Sequence, residues 1–511
     1  MTSPSPILFG LETELGIARD GAPELDVVAE SIALVRSVTE PGVLMRWDYS
    51  AENPHRDVRG FEVDELRQDF DEAGYLAQDA ARELSWAEIK SDFVLGNGAR
   101  FYNDHAHPEY CTPECASVAD LVAHDRAGER IATACARRLS EVRGAAVRLY
   151  KNNTDFRGHS YGCHENYLIP RAVPWEALAA AIQAFLVTRQ IFAGAGKFAV
   201  EDEDRFVGPG FQLAQRSDFF TELQSVDTMQ RRPLINTRDE PHADPALWRR
   251  FHVILGDANM SPFATWLKAG TTALVLRAII QAGRASSPSS SLRWPVLADP
   301  LAALRAISRD PAWKWEVKLA GRRTASALDI QRAYLDAVKA LGEPATPEHT
   351  QLIAAWEEVL NDLGADPRRC ADRLDWVAKH ELVRSFQNAE GLADDDPWLR
   401  SLDLEYHRLD PAEGLFFGLE QAGQLRRVVD DAQVARAIYD PPADTRARIR
   451  GRCVDKFESA VHSAQWDHIT LKTAAGPLRI DLTQLFSPAE LARVAAAVEA
   501  ASTPDDLHSL L

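Results

Sequence analysis

Glu12 and Glu14 stand two residues apart in the run FGLETELGI. Apolar and polar residues alternate there, so the run reads as a β-strand, and both carboxylates project from the face opposite Phe9 and Leu11. Two like charges side by side on an otherwise apolar strand are costly unless water, a cation or a basic partner compensates them. One reading is a solvated sheet face. The other is ligation of a hard cation, because Mg²⁺ prefers carboxylate oxygens and usually bridges to phosphate. A second group lies in NGARFYNDHAHPEY, where alternation puts Arg100, Tyr102 and Asp104 on one face and Glu109 follows after His105-Ala106-His107-Pro108. A cation, a phenol and two carboxylates this close suit a phosphate-and-metal site with a general base. Pro108 is expected to end the strand. His105, His107, Cys111 and Cys115 have transition-metal ligand types, but their spacing matches no closed zinc motif, and period 2 places both histidines opposite Asp104.

Two further clusters carry polar groups. Gly162, His164 and Asn166 share one face of SYGCHENY, a polar row that needs partners if the strand is buried. INTRDEPH brings Arg238, with Arg249, Arg250 and His252 soon after, and guanidinium forks suit carboxylate or phosphate oxygens. A surface ion-pair network is the plainer reading of that group. Gly194-Ala195-Gly196-Lys197 lacks the spacing and the following Ser or Thr of a phosphate loop, and reads as a helix-ending turn. The chemistry of these residues alone describes an ATP–Mg²⁺ or phosphate-handling enzyme with a carboxylate base on a sheet.

The elements that must position these groups alternate between strands and helices, without a repeat. Strands are expected at Ile7–Ile17, Arg100–Asp104, Ala146–Tyr150 and Tyr161–Ile169. Core helices are expected at Trp175–Phe192, at Pro262–Ile280 with Ser261 as cap, and at Gln351–Leu363. Arg46–Phe61 shows neither period and reads as an exposed loop, as do Ala285–Ser291 and the turn Gly342–Pro347. Pro441 and Pro442 break the chain, so residues 441–511 are expected to form a small C-terminal domain, with a strand near Trp466–Lys472, beside a larger 1–440 unit.

With 511 residues the chain can bury a deep core. It carries 57 Lys and Arg against 76 Asp and Glu, a net charge of −19. That balance argues against general affinity for nucleic acid or anionic membrane. The start has no signal-peptide pattern, and the most apolar stretch, Thr271–Ile280, is short and holds Arg277. Six cysteines do not make a disulfide framework in a chain this long, so a cytoplasmic protein is expected.

FGLETELGI, NGARFYNDHAHPEY, YKNNTDFRGHSYGCHENYL, INTRDEPHAD, RRFHVILGDANMS and PPADTRARIRGRC together resemble the family of Pup ligases and Pup deamidase/depupylases, from residue 7 to about 470. The resemblance implies an α+β, glutamine-synthetase-like fold, with a nucleotide on an antiparallel sheet and a small C-terminal domain. It implies ATP and Mg²⁺ as cofactors, Pup and pupylated proteins as partners, and a proteasomal ATPase further along the pathway. It makes Asp104 the catalytic aspartate, and Glu12, Tyr102 and Glu109 metal-site positions, with Glu14 and His164 beside them. Arg100, Thr112, Trp466 and Arg238 fall at nucleotide-contacting positions. HAHPEY matches the depupylase branch, since the ligase carries one more residue before its proline and glutamate. RWDYSAENPHRDVRGF also resembles the loop that marks that branch, within a 46–95 region whose 62–95 part matches no familiar pattern. The implied reaction is hydrolysis of the side-chain amide of Pup's C-terminal Gln and of the isopeptide to a substrate lysine. The alternatives are a Pup ligase that consumes ATP and a non-catalytic paralogue that binds Pup or nucleotide.

Overall fold

The computed structural model describes residues 7–66, 78–156, 158–202, 205–228, 232–283, 293–342, 346–484 and 486–511. The expected loop Ala285–Ser291 lies outside them, as do part of the Gly342–Pro347 turn and part of the 62–95 stretch.

A nine-stranded sheet organises the molecule. From one edge its strands are Glu222–Ser225, Pro233–Asn236, Trp248–Val253, Cys163–Pro170, Phe9–Glu14, His107–Cys111, Arg100–Asp104, Phe93–Leu95 and Gly42–Leu44. Every pairing is antiparallel except that of the first two strands, which is parallel. The α+β class and the largely antiparallel sheet expected from the sequence are what the chain has.

Alternation sorts the two faces. Phe9, Leu11, Cys163, Tyr167, Ile169, Phe251 and Val253 turn to one side, where they pack with Leu121, Val122, Ile182, Phe185, Leu267 and Val275. Those partners come from the helices Val118–Arg143, Trp175–Thr188 and Pro262–Ala282. The last starts as expected, with Ser261 capping Ala264 N and Pro262 in the first turn. At 21 residues it is longer than its apolar centre suggested, and by length and composition it could cross a membrane. Its apolar window is 89% buried inside the protein, so it serves as the core helix. One charged pair also lies on this face. Glu165 accepts both guanidinium nitrogens of Arg189, at 2.9 and 2.5 Å, and the Tyr167 hydroxyl at 2.7 Å. Arg189 reaches on to Thr272 Oγ1 and Leu255 O, knotting two helices to the central strand.

Several expectations need correction. The first strand does not run through to Ile17: it ends at Glu14, and Gly16–Arg19 leaves the large sheet to pair with Val147–Tyr150. Pro108 does not end regular structure either. Asp104 and His107 close a two-residue hairpin through His105 and Ala106. Proline is tolerated because its carbonyl, and therefore its nitrogen, faces the first strand, where that carbonyl accepts Leu15 N at 2.9 Å. The Gln351–Leu363 helix extends from Pro347 to Ala365 with Thr346 as cap, so the expected turn ends inside it. Arg46–Phe61 is irregular as expected, but it is not simply exposed: Trp47, Asp57 and Val58 are buried.

Toward the C-terminus, Val461–Gln465, His468–Thr473 and Gly476–Asp481 form a three-stranded sheet, followed by the helices Pro488–Ala500 and Pro504–Leu510. Its core is shared with Val43, Trp47 and Val94 at the far edge of the large sheet. Trp47 forms a parallel bridge with Ala464, whose N–H donates to Arg46 O at 2.8 Å.

Candidate active site

The face of the sheet opposite the helices holds the polar residues, and the strand register decides which of them meet. Partners across an antiparallel pair point to the same side. Glu12 lies opposite His164 and Cys111, Glu14 opposite Glu109, Tyr102 opposite Glu109, and His252 opposite Asn166. Five strands thereby aim one polar row at the same space.

At its centre, Glu12 accepts Asn166 Nδ2 at 3.0 Å and His164 Nδ1 at 3.2 Å, with Arg250 Nη1 and His252 Nε2 each at 3.5 Å. Burial raises the Glu12 carboxyl, but His252, His164 and Arg250 outweigh it and hold it well below the usual carboxylate range. Glu14, Asp104 and Glu109 form a second group, in which one oxygen from each lies within 4.8 Å of the others. Burial, and then the charges of Asp104, Glu12 and Glu14, push Glu109 well above its ordinary value, although Tyr102 donates to it at 2.8 Å. A buried carboxylate among like charges is the arrangement a hard cation relieves, and this all-oxygen donor set fits Mg²⁺. Glu12, His164 and His252 form a neighbouring group, again with ligand atoms within 4.8 Å, and while His252 Nε2 faces Glu12, its Nδ1 is buried without a hydrogen-bond partner. His105, His107, Cys111 and Cys115 do not gather into a comparable set among the described residues.

Asp104 ends the row. Its Oδ1 accepts the Lys90 ammonium at 2.5 Å, while His105 Nε2 stands 3.9 Å from Oδ2. Burial raises this carboxyl, and Lys90, His105 and Arg100 overcome that and hold it ionised, well below the normal range. The hairpin turn also moves His107 to the Asp104 face, contrary to the expectation from uninterrupted alternation. There it stacks on Tyr161 with ring centres 4.3 Å apart. Arg100 is wedged between Trp47 and Tyr102, its guanidinium 4.1 and 3.8 Å from their ring centres. Its Nε donates to Asp92 at 2.6 Å and its Nη2 to the Tyr49 hydroxyl at 2.8 Å. Tyr49 in turn donates to Asp92.

On the other side of Glu12 a cleft opens over the sheet, lined by Gly10, Glu12, Thr112, His242, Arg250 and Trp466 among others. Trp466 is held edge-on by Trp47 at 5.2 Å and covered by the Arg450 guanidinium at 4.7 Å. Glu114 fixes that arginine at 2.5 Å and Arg446 at 2.7 Å. Burial raises Glu114, and Arg450 and Arg446 bring it down to about 2.

The structure thus gathers Glu12, Glu14, His164, Tyr102, Asp104 and Glu109 in one place, and puts Thr112 and Trp466 along the adjoining cleft. Arg238 does not line the cleft: its Nε is spent on Val226 O at 2.9 Å, at the point where Asp57 meets the sheet. Of the two readings the sequence offers for the Arg249–His252 group, Arg250 and His252 follow the one in which basic groups meet carboxylate oxygens, whereas Lys90, Asp92, Trp47 and Tyr49 are parts of the site that the sequence reading does not contain. The aromatic residues of the 46–61 stretch are a signal for Trp47 and Tyr49, and nothing in the sequence pattern singles out Lys90 or Asp92.

The family model described as Pup-ligase protein matches residues 7–470. The chain is similar to a protein named depupylase from Acidothermus cellulolyticus, at 42% identity over 90% of each chain. It is 41% identical to one named Pup deamidase/depupylase from Mycobacterium tuberculosis, again over 90% of both. In three dimensions it resembles the Pup ligase PafA of the prokaryotic ubiquitin-like modification pathway, solved in complex with ADP. That likeness has a TM-score of 0.72 and 31% identity, and covers 88% of this chain and 98% of that one.

Proposed function

The chain belongs to the Pup-ligase protein family, and from that membership we propose that it is a depupylase-type hydrolase. It cleaves the side-chain amide of the C-terminal Gln of Pup, and the isopeptide that joins Pup to a substrate lysine. The observation that carries this reading is the placing of Asp104. It is held ionised at one end of a carboxylate row whose other end opens into the Thr112–Trp466 cleft. The cleft would hold the nucleoside part of ATP, with Arg250 supplying positive charge toward its phosphates, and Asp104 would meet the scissile carbonyl at the other end of the row. Glu14 and Glu109, with Glu12 and His164 beside them, would hold Mg²⁺, which supplies positive charge against phosphate oxygens and a developing oxyanion. Asp104 supplies the carboxylate for hydrolysis, as base toward water or as nucleophile. Residues 1–440 form the glutamine-synthetase-like catalytic unit and 441–511 a C-terminal domain that contributes Trp466. A cytoplasmic setting, with Pup-tagged proteins as substrates, completes the proposal.

The two-residue Asp104–His107 hairpin favours this branch over a ligase. An extra residue there would shift Glu109 against Tyr102 and Glu14, whose pairing depends on that tight turn. Purified protein given ATP and Mg²⁺ should cleave a Pup–protein conjugate and leave Pup ending in Glu unjoined to a lysine-bearing protein. New conjugate on the gel would identify a ligase instead.

Removing Glu12 tests the nucleotide side. Glu12→Ala should weaken ATP–Mg²⁺ binding at least about tenfold in calorimetry, the scale seen when groups around a metal are lost. Unchanged affinity in a folded variant would return Glu12 to an ordinary solvated face.

A further inference from the structure

Lys90 reaches the reacting carboxylate from outside the sheet. It closes the short helix Trp86–Lys90, in the segment that resembles no familiar pattern, and its ammonium lies 2.5 Å from Asp104 Oδ1. This is not a loose surface pairing. The helix begins with a Ser85–Glu88 capping box, Arg36 Nε donates to Ser91 Oγ at 2.9 Å behind it, and Asn103 Nδ2 donates to Ile89 O at 3.0 Å. The Lys90 ammonium also lies 5.4 Å from the centre of the Tyr102 ring and 6.0 Å from that of Trp86, so it sits in an aromatic slot suited to a cation. The side chains of Lys90 and Asp104 remain 17% and 22% exposed, which leaves the pair open to displacement from solvent.

That slot has the chemistry of a leaving group. Hydrolysis of an isopeptide breaks the bond between the amide carbon and the lysine Nε. The carbon gains the oxygen of water and ends as a carboxylate, and the nitrogen takes both protons of that water, the first as the bond breaks and the second at neutral pH, departing as an ammonium on a four-methylene stem. An ammonium leaving beside Asp104 makes the same contact that Lys90 makes. Hydrolysis of a Gln side chain releases ammonia, which is likewise protonated at neutral pH but is small and has no stem to place in the slot. Resting on the hydrolase reading above, we propose that Lys90 is a built-in stand-in for the substrate lysine. It occupies the exit of the leaving amine on Asp104 and thereby sets the preference between isopeptide and Gln side-chain amide. Substrate lysine must displace it, whereas ammonia need not.

The rim of the slot agrees with this use. Trp86 is 53% exposed and packs edge-on against Tyr49 at 4.1 Å, so the entrance is an aromatic lip on which the stem of an incoming lysine can lie. A residue that only oriented Asp104 would act on both substrates alike, and this difference is what an experiment can read.

The test compares kcat/KM of the full-length protein, with ATP and Mg²⁺, on a Pup–protein conjugate and on Pup ending in Gln. Lys90→Met should raise the conjugate-to-Gln ratio by about two- to fivefold, the worth of a partly exposed ion pair. Most of that change should appear in KM for the conjugate. Lys90→Met should also become more sensitive than wild type to Nα-acetyl-lysine amide, which can enter the vacated slot. Lys90→Arg, which keeps a cation on Asp104, should stay near the wild-type ratio. Equal changes on both substrates, or a fall in the ratio, would reduce Lys90 to a positioning role and overturn the proposal. Wild type that cleaves neither substrate would overturn the hydrolase reading itself.

Discussion

Asp104→Asn is expected to cut cleavage of both a Pup–protein conjugate and Pup ending in Gln by about 10²–10⁴, the usual cost of losing a general base. A larger fall would point to a nucleophile. The substitution keeps the shape of the side chain and an oxygen that can still accept from Lys90, whose contact to Oδ1 fixes the rotamer. It removes the ionised carboxylate that Lys90, His105 and Arg100 hold in place against burial. ATP affinity should change little, because the cleft on the far side of Glu12 does not include Asp104. Single-turnover cleavage, paired with nucleotide titration, separates the two effects. A variant with near-normal cleavage would transfer the role to another carboxylate of the same group, such as Glu14.

The second large effect lies beneath the sheet. Arg189→Met should destabilise the fold by about 3–5 kcal/mol, since it leaves Glu165 as an uncompensated buried charge. Both groups are almost entirely enclosed, with side-chain exposures of 2% and 1%, and Glu165 sits between His164 and Asn166 on the strand that supports Glu12. Urea unfolding followed by circular dichroism measures the loss. Adding Glu165→Gln to Arg189→Met should recover part of it, because the charge is then gone. A loss under about 1 kcal/mol in the single variant would mean that water or a proton compensates Glu165.

Much of this site was legible because strands advertise their faces. Glu12 against Leu11, His164 and Asn166 against Cys163 and Tyr167, and Arg100, Tyr102 and Asp104 in one row all follow from period 2. Alternation says nothing about register, so it could not show that Glu14 and Tyr102 converge on Glu109, or that His252 comes to lie beside Glu12. Pro108 misled for a physical reason. A missing N–H matters only where the ladder would use it, and there the nitrogen faces the end of the first strand. Lys90, Tyr49 and Asp92 were hidden for another: their partners Asp104 and Arg100 lie across tertiary space from an irregular segment without period. The family resemblance supplied roles for Asp104, Thr112 and Trp466 that their spacing alone did not.

The shared core between the C-terminal sheet and Val43, Trp47 and Val94 has a consequence for solubility. Gly42–Leu44, only three residues long, is the outer strand of the large sheet on that side, and an outer strand presents backbone groups to any passing chain. Just past it, Ala464 takes up the backbone of Arg46 and Asp48, and Ile469, Leu471 and Val498 cover the apolar surface alongside. A protein cut at residue 440 would expose that border together with Val43, Trp47 and Val94. It would be expected to self-associate edge to edge, so the segment that brings Trp466 to the cleft also shields the border of the large sheet.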